Sequence, residues 1–194
     1  MNRPIRFIGV TGPAVAGKDT VAEIICELFD AQNLSTGDAL RALARHVYRL
    51  PADHMPSREQ LFTVGTFIRG EIDKAFTVKL SIEQARILNI PQAVISGMRT
   101  LPEAQAIQQE GGIVVVVTAD PEVRYKRIKA RARDAETAHS FEEFVKRDDL
   151  ENKGVNGNGI TSIIEHADII IENNGSSRDE LKEHIREKLA PLLS

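Results

Sequence analysis

A short apolar run near the start of the chain leads into the phosphate-loop pattern G-x-x-x-x-G-K, written here Gly12-Pro13-Ala14-Val15-Ala16-Gly17-Lys18. The glycines allow the backbone to curl, so that successive N–H groups can point at phosphate oxygens. The helix expected after the loop directs its positive end to the same place, and Lys18 adds a point charge for the β- and γ-phosphates. In a chain of this length and composition, the bare spacing would arise by chance roughly 0.04 times. The sequence therefore predicts a nucleotide-phosphate site.

The residue after the loop departs from the usual pattern. Asp19 stands where a Ser or Thr hydroxyl normally contacts Mg²⁺. Thr20 is displaced by about 100° around the helix and is not expected to substitute for that hydroxyl directly. A carboxylate still binds a hard cation through oxygen. We therefore expect Gly12 to Thr20 to bind ATP with Mg²⁺, and Asp19 to serve the metal.

Strand-like runs alternate with helical patterns around this loop. The strongest is Ile113–Val117, and its lack of polar alternation predicts a strand covered on both faces, as in a parallel sheet. Further strands are expected at residues 5–10, 93–95 and 168–171, with a weak one at 33–35. This alternation predicts an α/β, doubly wound sheet.

Helix starts are marked by capping signals. Thr36-Gly37-Asp38 has the composition of a helix cap, and the spacing of a hydroxyl residue with Glu or Gln three positions later predicts further caps. These pairs are Ser57/Gln60, Ser81/Gln84, Ser140/Glu143 and Ser177/Glu180. Residues 40–90 are predicted to be helical throughout, and Pro121 to begin another helix.

Composition excludes several classes of function. The 194 residues carry a net charge of −3, which argues against a general nucleic-acid or anionic-membrane binder. The longest apolar run is too short to span a bilayer. One cysteine, Cys26, allows no internal disulfide, and the five histidines show no zinc-ligand spacing. We expect a cytoplasmic protein, a monomer or homodimer, in which Cys26 is a buried structural thiol.

Three motifs together carry a family resemblance. They are the loop Gly12–Lys18, the segment Ser35-Thr36-Gly37-Asp38 with Arg41, and Ser96-Gly97-Met98-Arg99. The chain resembles P-loop kinases of the nucleoside-monophosphate-kinase type. Over nearly its whole length it is similar to an archaeal family of predicted nucleotide kinases related to dephospho-CoA kinase. The Gly17–Thr20 variant is similar to that of phage deoxynucleoside monophosphate kinases and animal-type phosphomevalonate kinase.

The resemblance implies an architecture of one P-loop domain, residues 1–194. Its fold is a P-loop three-layer sandwich, with a five-stranded parallel sheet, a helical acceptor-binding insert and a lid. The core corresponds to residues 1–40, 91–127 and 160–194, the insert to about 41–90, and the lid to about 128–159.

The resemblance also assigns roles to individual residues. Arg41 and Arg99 are expected to grip the acceptor phosphate. The remaining implied contacts are Thr36, Asp38 and Gly97 for the acceptor, Arg127, Arg131 and Arg133 at the start of the lid, and Asn173 and Gly175 near the adenine of ATP. Lys18, Arg99, Arg127 and Arg131 are the expected catalytic cations.

A second departure lies at the end of the third strand. The family pattern usually has an aspartate before Gly97 that aids Mg²⁺, and this chain has Ser96. We hypothesise that Asp19 and Ser96 have exchanged roles, which keeps the local charge. The alternative is that Ser96 has no metal role and Asp19 acts through water.

These observations lead to one expected activity and two alternatives. We expect ATP-dependent phosphoryl transfer to a small phosphorylated acceptor, a (deoxy)nucleoside monophosphate. Dephospho-CoA is the alternative acceptor, and a regulatory ATPase without an acceptor is the alternative of another class.

Some of these residues also allow simpler interpretations. Asp38 could be only a helix-start residue. The stripe Arg124, Arg127 and Arg131 could be a solvated face, and Arg147-Asp148-Asp149 could pair internally.

Overall fold

The computed structural model describes residues 6–130, 140–154, 159–175 and 177–193. Its centre is one parallel sheet in the order β2-β3-β1-β4-β5. The strands are β1 (Phe7–Thr11), β2 (Gln32–Ser35), β3 (Ala93–Ser96), β4 (Ile113–Thr118) and β5 (Ile169–Glu172). The predicted α/β fold with a five-stranded parallel sheet is confirmed.

Helices cover both faces of this sheet within the described residues. They are α1 (Lys18–Phe29), α2 (Thr36–Val47), α3 (Arg58–Phe67), α4 (Phe76–Ile87), α5 (Leu101–Gln109), α6 (Pro121–Ala130), α7 (Phe141–Lys153), α8 (Ile160–Glu165) and α9 (Arg178–Leu193). A short π-helix, Ile68–Ile72, follows α3 directly. The segment between β2 and β3 is largely helical, but residues 48–57, between α2 and α3, form no helix, so the prediction of helix throughout residues 40–90 is wrong there.

Strand β4 explains how the two faces are filled. Val115 and Val117 lie in the hydrophobic cluster formed with α1 and α9, whereas Val114 and Val116 lie in the cluster formed with α4, α5 and α8. Successive side chains of a strand point to opposite faces, so this run of valines contributes apolar side chains to the hydrophobic clusters on both faces of the sheet. The unbroken apolar run is thus the signature of a central strand, as predicted.

Three of the predicted capping pairs are confirmed, at Ser57, Ser140 and Ser177. The Ser57 hydroxyl accepts from the Gln60 amide at 3.2 Å, and the Ser140 hydroxyl accepts from Glu143 at 3.1 Å. At Ser177 the pair is reciprocal, because Ser177 N donates to the Glu180 carboxylate at 3.0 Å. Each cap satisfies amide groups that a helix start leaves without partners.

Two cap predictions are wrong. Ser81 lies inside α4, where its hydroxyl donates to the Thr77 carbonyl at 3.1 Å, because apolar packing extends that helix back to Phe76. Helix α2 is capped by Ser35, which accepts from Gly37 N at 3.2 Å, so Thr36 is already its first helical residue.

The last strand begins one residue later than predicted. Asp168 is not part of β5, because its carboxylate turns back to accept the Val114 amide at 2.7 Å at the start of the neighbouring strand. Within the described residues, no helix is both long and apolar enough to cross a membrane.

Candidate active site

The strand register brings the loops after all five strands to one edge of the sheet. Ser96 lies opposite both Val10 on β1 and Ser35 on β2, and Thr118 on β4 lies opposite Glu172 on β5. Because the strands are parallel, the segments that follow these residues leave the sheet on the same side. Ligands of open α/β sheets bind in the crevice outside these carboxyl ends.

The glycines of the first loop occupy positions where a side chain would clash. A Cβ on Gly12 would lie 2.1 Å from the Val117 carbonyl oxygen, and one on Gly17 would lie 2.2 Å from Nδ2 of Asn173. Gly17 also has φ +98°, in the left-handed region that favours glycine. The loop lies directly against β4 and against the segment after β5, with α1 beginning at Lys18.

Arg127 and Asn173 hold this loop by its carbonyl groups. Arg127 Nη1 donates to the carbonyls of Val15 at 3.3 Å and Ala16 at 3.2 Å, and its Nη2 donates to the Asn173 carbonyl at 2.8 Å. Asn173, only 6% exposed, donates from Nδ2 to the Ala16 carbonyl at 2.9 Å. The two residues fix the conformation of the loop from its outer side.

Lys18 and Asp19 face each other at the start of α1. Lys18 Nζ lies 3.2 Å from the Asp19 carboxylate, whose side chain is 74% exposed. An exposed pair of this kind is weak, since water competes with it. Both groups are therefore available to exchange partners when an anion or a cation approaches.

The segment after β3 is attached to the strand that carries the loop. The Thr11 hydroxyl donates to the Met98 carbonyl at 2.5 Å, and Gly97 N donates to the Val10 carbonyl at 3.1 Å. Gly97 has φ +93°, and a Cβ there would lie 2.8 Å from Oγ1 of Thr36 at the start of α2. The structure thus brings the predicted residues Thr36 and Gly97 into direct proximity, beside β1.

The two predicted acceptor arginines differ in their surroundings. Arg41 forms an ion pair with Asp38, which lies in the first turn of α2. Arg99 is exposed, and its guanidinium has no hydrogen-bond acceptor among the described residues. Ser96, the other predicted metal ligand, is buried at the end of β3.

Sequence reasoning missed Glu103, which holds the backbone around Arg99. This carboxylate is 2% exposed and accepts from Arg99 N at 2.7 Å and Thr100 N at 3.0 Å. Its other oxygen accepts the Thr77 hydroxyl of α4 at 2.7 Å. Thr100 and Glu103 have the hydroxyl-to-Glu spacing of the other capping pairs in the chain, so the sequence did contain a pattern that could have identified Glu103.

Sequence reasoning also missed a buried ion pair between α6 and α7. Arg124 donates to Asp148 through both terminal nitrogens, at 2.5 and 2.6 Å, and through Nε to the Ala119 carbonyl at 3.0 Å. The interpretation of this arginine stripe as a solvated face is wrong at Arg124. Asp148 pairs across helices and not with its chain neighbours, a contact that the sequence does not signal.

The remaining predicted residues are Gly175, which follows β5, and two arginines that lie beyond the description. Gly175 is exposed, with φ +113° and nothing within 4 Å of a Cβ. Arg131 and Arg133 lie outside the described residues.

This sheet order, the phosphate-loop sequence at the end of its central strand and the arginine-bearing loop beside it define a P-loop kinase-like protein. The chain matches the AAA domain family over residues 8–151. It shares 31% identity over 144 residues with the UPF0200 protein TK1334 of Thermococcus kodakarensis, covering 71% of this chain and 75% of that one. The chain therefore belongs to the AAA domain family and to the UPF0200 family.

Two further likenesses concern kinases. A cytidylate kinase of Acidiphilium cryptum is 32% identical over 146 residues, covering 66% of this chain and 67% of the kinase. The crystal structure of a shikimate kinase from Bacteroides thetaiotaomicron superposes with a TM-score of 0.58 at 13% identity, covering 97% and 99% of the two chains. The structural likeness concerns the fold alone.

Proposed function

We propose that the protein is an ATP-dependent kinase that transfers the γ-phosphoryl group to a small phosphorylated acceptor, a (deoxy)nucleoside monophosphate. The observation that carries this proposal is the bond from the Thr11 hydroxyl to the Met98 carbonyl. This bond joins β1, which precedes the phosphate loop with Lys18, to the segment that carries Arg99. The two cationic segments are therefore held next to each other. Phosphoryl transfer requires two anions to meet in line, with their charges neutralised.

On the ATP side, residues 12–20 surround the phosphates. Lys18 leaves Asp19 and contacts the β- and γ-phosphates, which attract it more strongly than one exposed carboxylate does. Arg127 and Asn173 maintain the conformation of the phosphate loop, which lowers the entropy cost of ordering the loop when ATP binds. Arg131 remains a proposed catalytic cation, in a lid spanning about residues 128–159 that also carries Arg133 and excludes water.

On the acceptor side, Arg41 and Arg99 bind the phosphate of the acceptor. Their planar guanidinium groups suit bidentate phosphate contacts. Thr36 and Gly97 lie against each other and line the acceptor site between these arginines. Asp38 orients Arg41 through their ion pair. The helical insert, about residues 41–90, supplies the remaining acceptor contacts.

The oxygen donors at this edge suit Mg²⁺, a hard cation that prefers carboxylate, hydroxyl, water and phosphate ligands. Within the described ranges, no group of three or more His, Cys, Asp or Glu side chains could hold a metal ion, so phosphates and waters would complete the coordination shell. Asp19 and Ser96 are the proposed protein ligands. Bound Mg²⁺ would neutralise charge on the transferred group.

The test is ADP formation from Mg·ATP with ribo- and deoxynucleoside monophosphates, the matching nucleosides and dephospho-CoA. Stimulation by monophosphates, with detection of the diphosphate product, supports the proposal. Stimulation by dephospho-CoA alone would instead identify that acceptor. Slow hydrolysis that no acceptor stimulates would favour a regulatory ATPase.

A variant pair tests the role of the loop. Lys18→Ala should reduce transfer about 100-fold or more, because a charge that neutralises the transferred group is lost. Lys188→Ala, an exposed lysine on α9, is the matched control and should leave the rate unchanged. An unchanged rate in Lys18→Ala would overturn the assignment.

A further inference from the structure

Arg69 is a cation of the insert that the motifs do not include. It lies on the π-helix Ile68–Ile72, between α3 and α4. Its Nη1 lies 3.8 Å from Oε1 of Glu103, the carboxylate whose other oxygen holds the backbone of Arg99.

The other side of the Arg69 guanidinium faces α2. A Cβ on Gly65 would lie 2.8 Å from Arg69 Nη2 and 3.3 Å from Cδ2 of Leu40, the residue before Arg41. The absence of a side chain on Gly65 thus leaves room for the guanidinium. Arg69 therefore lies near the side chain of Leu40 on α2 and near the Glu103 carboxylate that holds the Arg99 backbone.

Most donors of this guanidinium lack an acceptor in the described structure. The Arg69 side chain is 28% exposed, and the Glu103 oxygen is too distant for a hydrogen bond. That carboxylate already accepts the Thr77 hydroxyl and two backbone amides. These donors reach solvent at this exposure, so they are available to an approaching anion, which would accept charge-assisted hydrogen bonds from them.

We propose that Arg69 contacts the phosphate of the acceptor, together with Arg41 and Arg99. This inference rests on the proposed kinase function and adds a residue to its acceptor site. The three guanidinium groups surround one dianion from α2, from the π-helix and from the loop after β3. Glu103 connects two of these residues, since it holds the backbone of Arg99 and lies 3.8 Å from the guanidinium of Arg69.

The test compares Arg69→Met and Gly65→Ala by steady-state kinetics, with ATP and the stimulating nucleoside monophosphate varied separately. Arg69→Met should raise the KM for the acceptor about 10- to 100-fold and leave the KM for ATP within about twofold, as expected for lost charge-assisted hydrogen bonds. Gly65→Ala should raise the acceptor KM in the same direction, because its new methyl group displaces the guanidinium.

Gly65→Ala also separates binding from folding. Alanine favours a helix over glycine, and the two atoms that its Cβ meets, Arg69 Nη2 and Leu40 Cδ2, are ends of flexible side chains, so the melting temperature should change little or rise. A higher acceptor KM in an equally stable protein cannot come from loss of structure. This variant decides the question if Arg69→Met fails to fold.

Arg86→Met is the control, since Arg86 pairs with Glu83 and Glu110 on the exposed side of α4 and should show unchanged kinetics. Unchanged acceptor KM in both test variants, or an equal rise in both KM values, would overturn the role of Arg69 alone. A wild-type protein that no phosphorylated acceptor stimulates would overturn the proposed function, and this inference with it.

Discussion

Nδ2 of Asn173 occupies the space that a side chain on Gly17 would need, 2.2 Å from the position of its Cβ. The same nitrogen donates to the Ala16 carbonyl, so the segment after β5 is fitted against the phosphate loop. The glycine of the motif is therefore required for two reasons, its backbone angle and this neighbour. Only the first reason is visible in the motif.

This contact predicts a difference between two glycine variants. Gly17→Ala should lower the free energy of unfolding by about 2–4 kcal/mol and weaken ATP binding, because the Asn173 amide must leave Ala16. Gly111→Ala has a similar strained φ of +73° but nothing within 4 Å, so it should cost only about 1 kcal/mol. Urea denaturation and calorimetric ATP titration measure both effects; equal losses in the two variants would contradict the role of Asn173.

The buried pair Arg124–Asp148 predicts a large loss of stability when one partner is removed. Asp148→Ala should lower the free energy of unfolding by about 3–5 kcal/mol, because it leaves the arginine charge uncompensated in a buried site. Asp149→Ala, at an exposed neighbouring position, should change it little. Denaturant unfolding of both variants is the measurement.

A double variant refines this prediction. Replacing both partners by apolar residues, as in Arg124→Met with Asp148→Leu, should recover most of the lost stability, since no buried charge remains. Failure of the double variant to recover would show that the bond of Arg124 Nε to Ala119 matters more than the charge pair.

The proposed exchange of metal-ligand roles between Asp19 and Ser96 predicts a coupled effect. Asp19→Ser should raise the Mg²⁺ concentration needed for half-maximal activity about tenfold or more, because a carboxylate ligand is lost. Ser96→Asp in the same protein should restore it in part, by returning the carboxylate to the end of β3. The Mg²⁺ dependence of ADP formation in a double-mutant cycle measures the coupling. Additive effects would favour action of Asp19 through water.

Cys26 is predicted to react slowly with alkylating agents. Burial raises the pKa of its thiol, and the nearby carboxylates Glu23 and Glu27 raise that pKa further. The nucleophilic thiolate is therefore scarcer at pH 8 than in an exposed cysteine, and alkylation should accelerate only as the pH rises above the ordinary thiol pKa. Mass spectrometry of iodoacetamide-treated protein follows this reaction. A rate equal to that of free glutathione at pH 8 would contradict it.

Local patterns predict much of this fold, because each is set by neighbouring residues. The run Ile113–Val117 required apolar neighbours on both faces, and the hydroxyl residues Ser57, Ser140 and Ser177 cap helices as their spacing indicates. Ser81 has the same spacing but lies within a helix, since tertiary packing sets where α4 begins.

Contacts at the candidate site could be predicted where a motif fixes the backbone, but not where residues of distant helices meet. Thr36 and Gly97 follow from the motifs at the ends of β2 and β3, and the structure brings them together. Asp148 and Arg69 contact residues of other helices, and these contacts depend on the packing of whole elements. No spacing within the chain encodes such contacts.

The position of β1 has a consequence for how the protein folds during synthesis. Its partners are β3 and β4, which lie about 85 and 105 residues further along the chain, so neither edge of β1 is paired by a nearby segment. The phosphate loop leaves the ribosome early but cannot take its final shape until Val117 and Asn173, which lie against it, have been made. Nucleotide can therefore stabilise the growing chain only late in translation, and until then β1 exposes two unpaired edges on which chaperones can act.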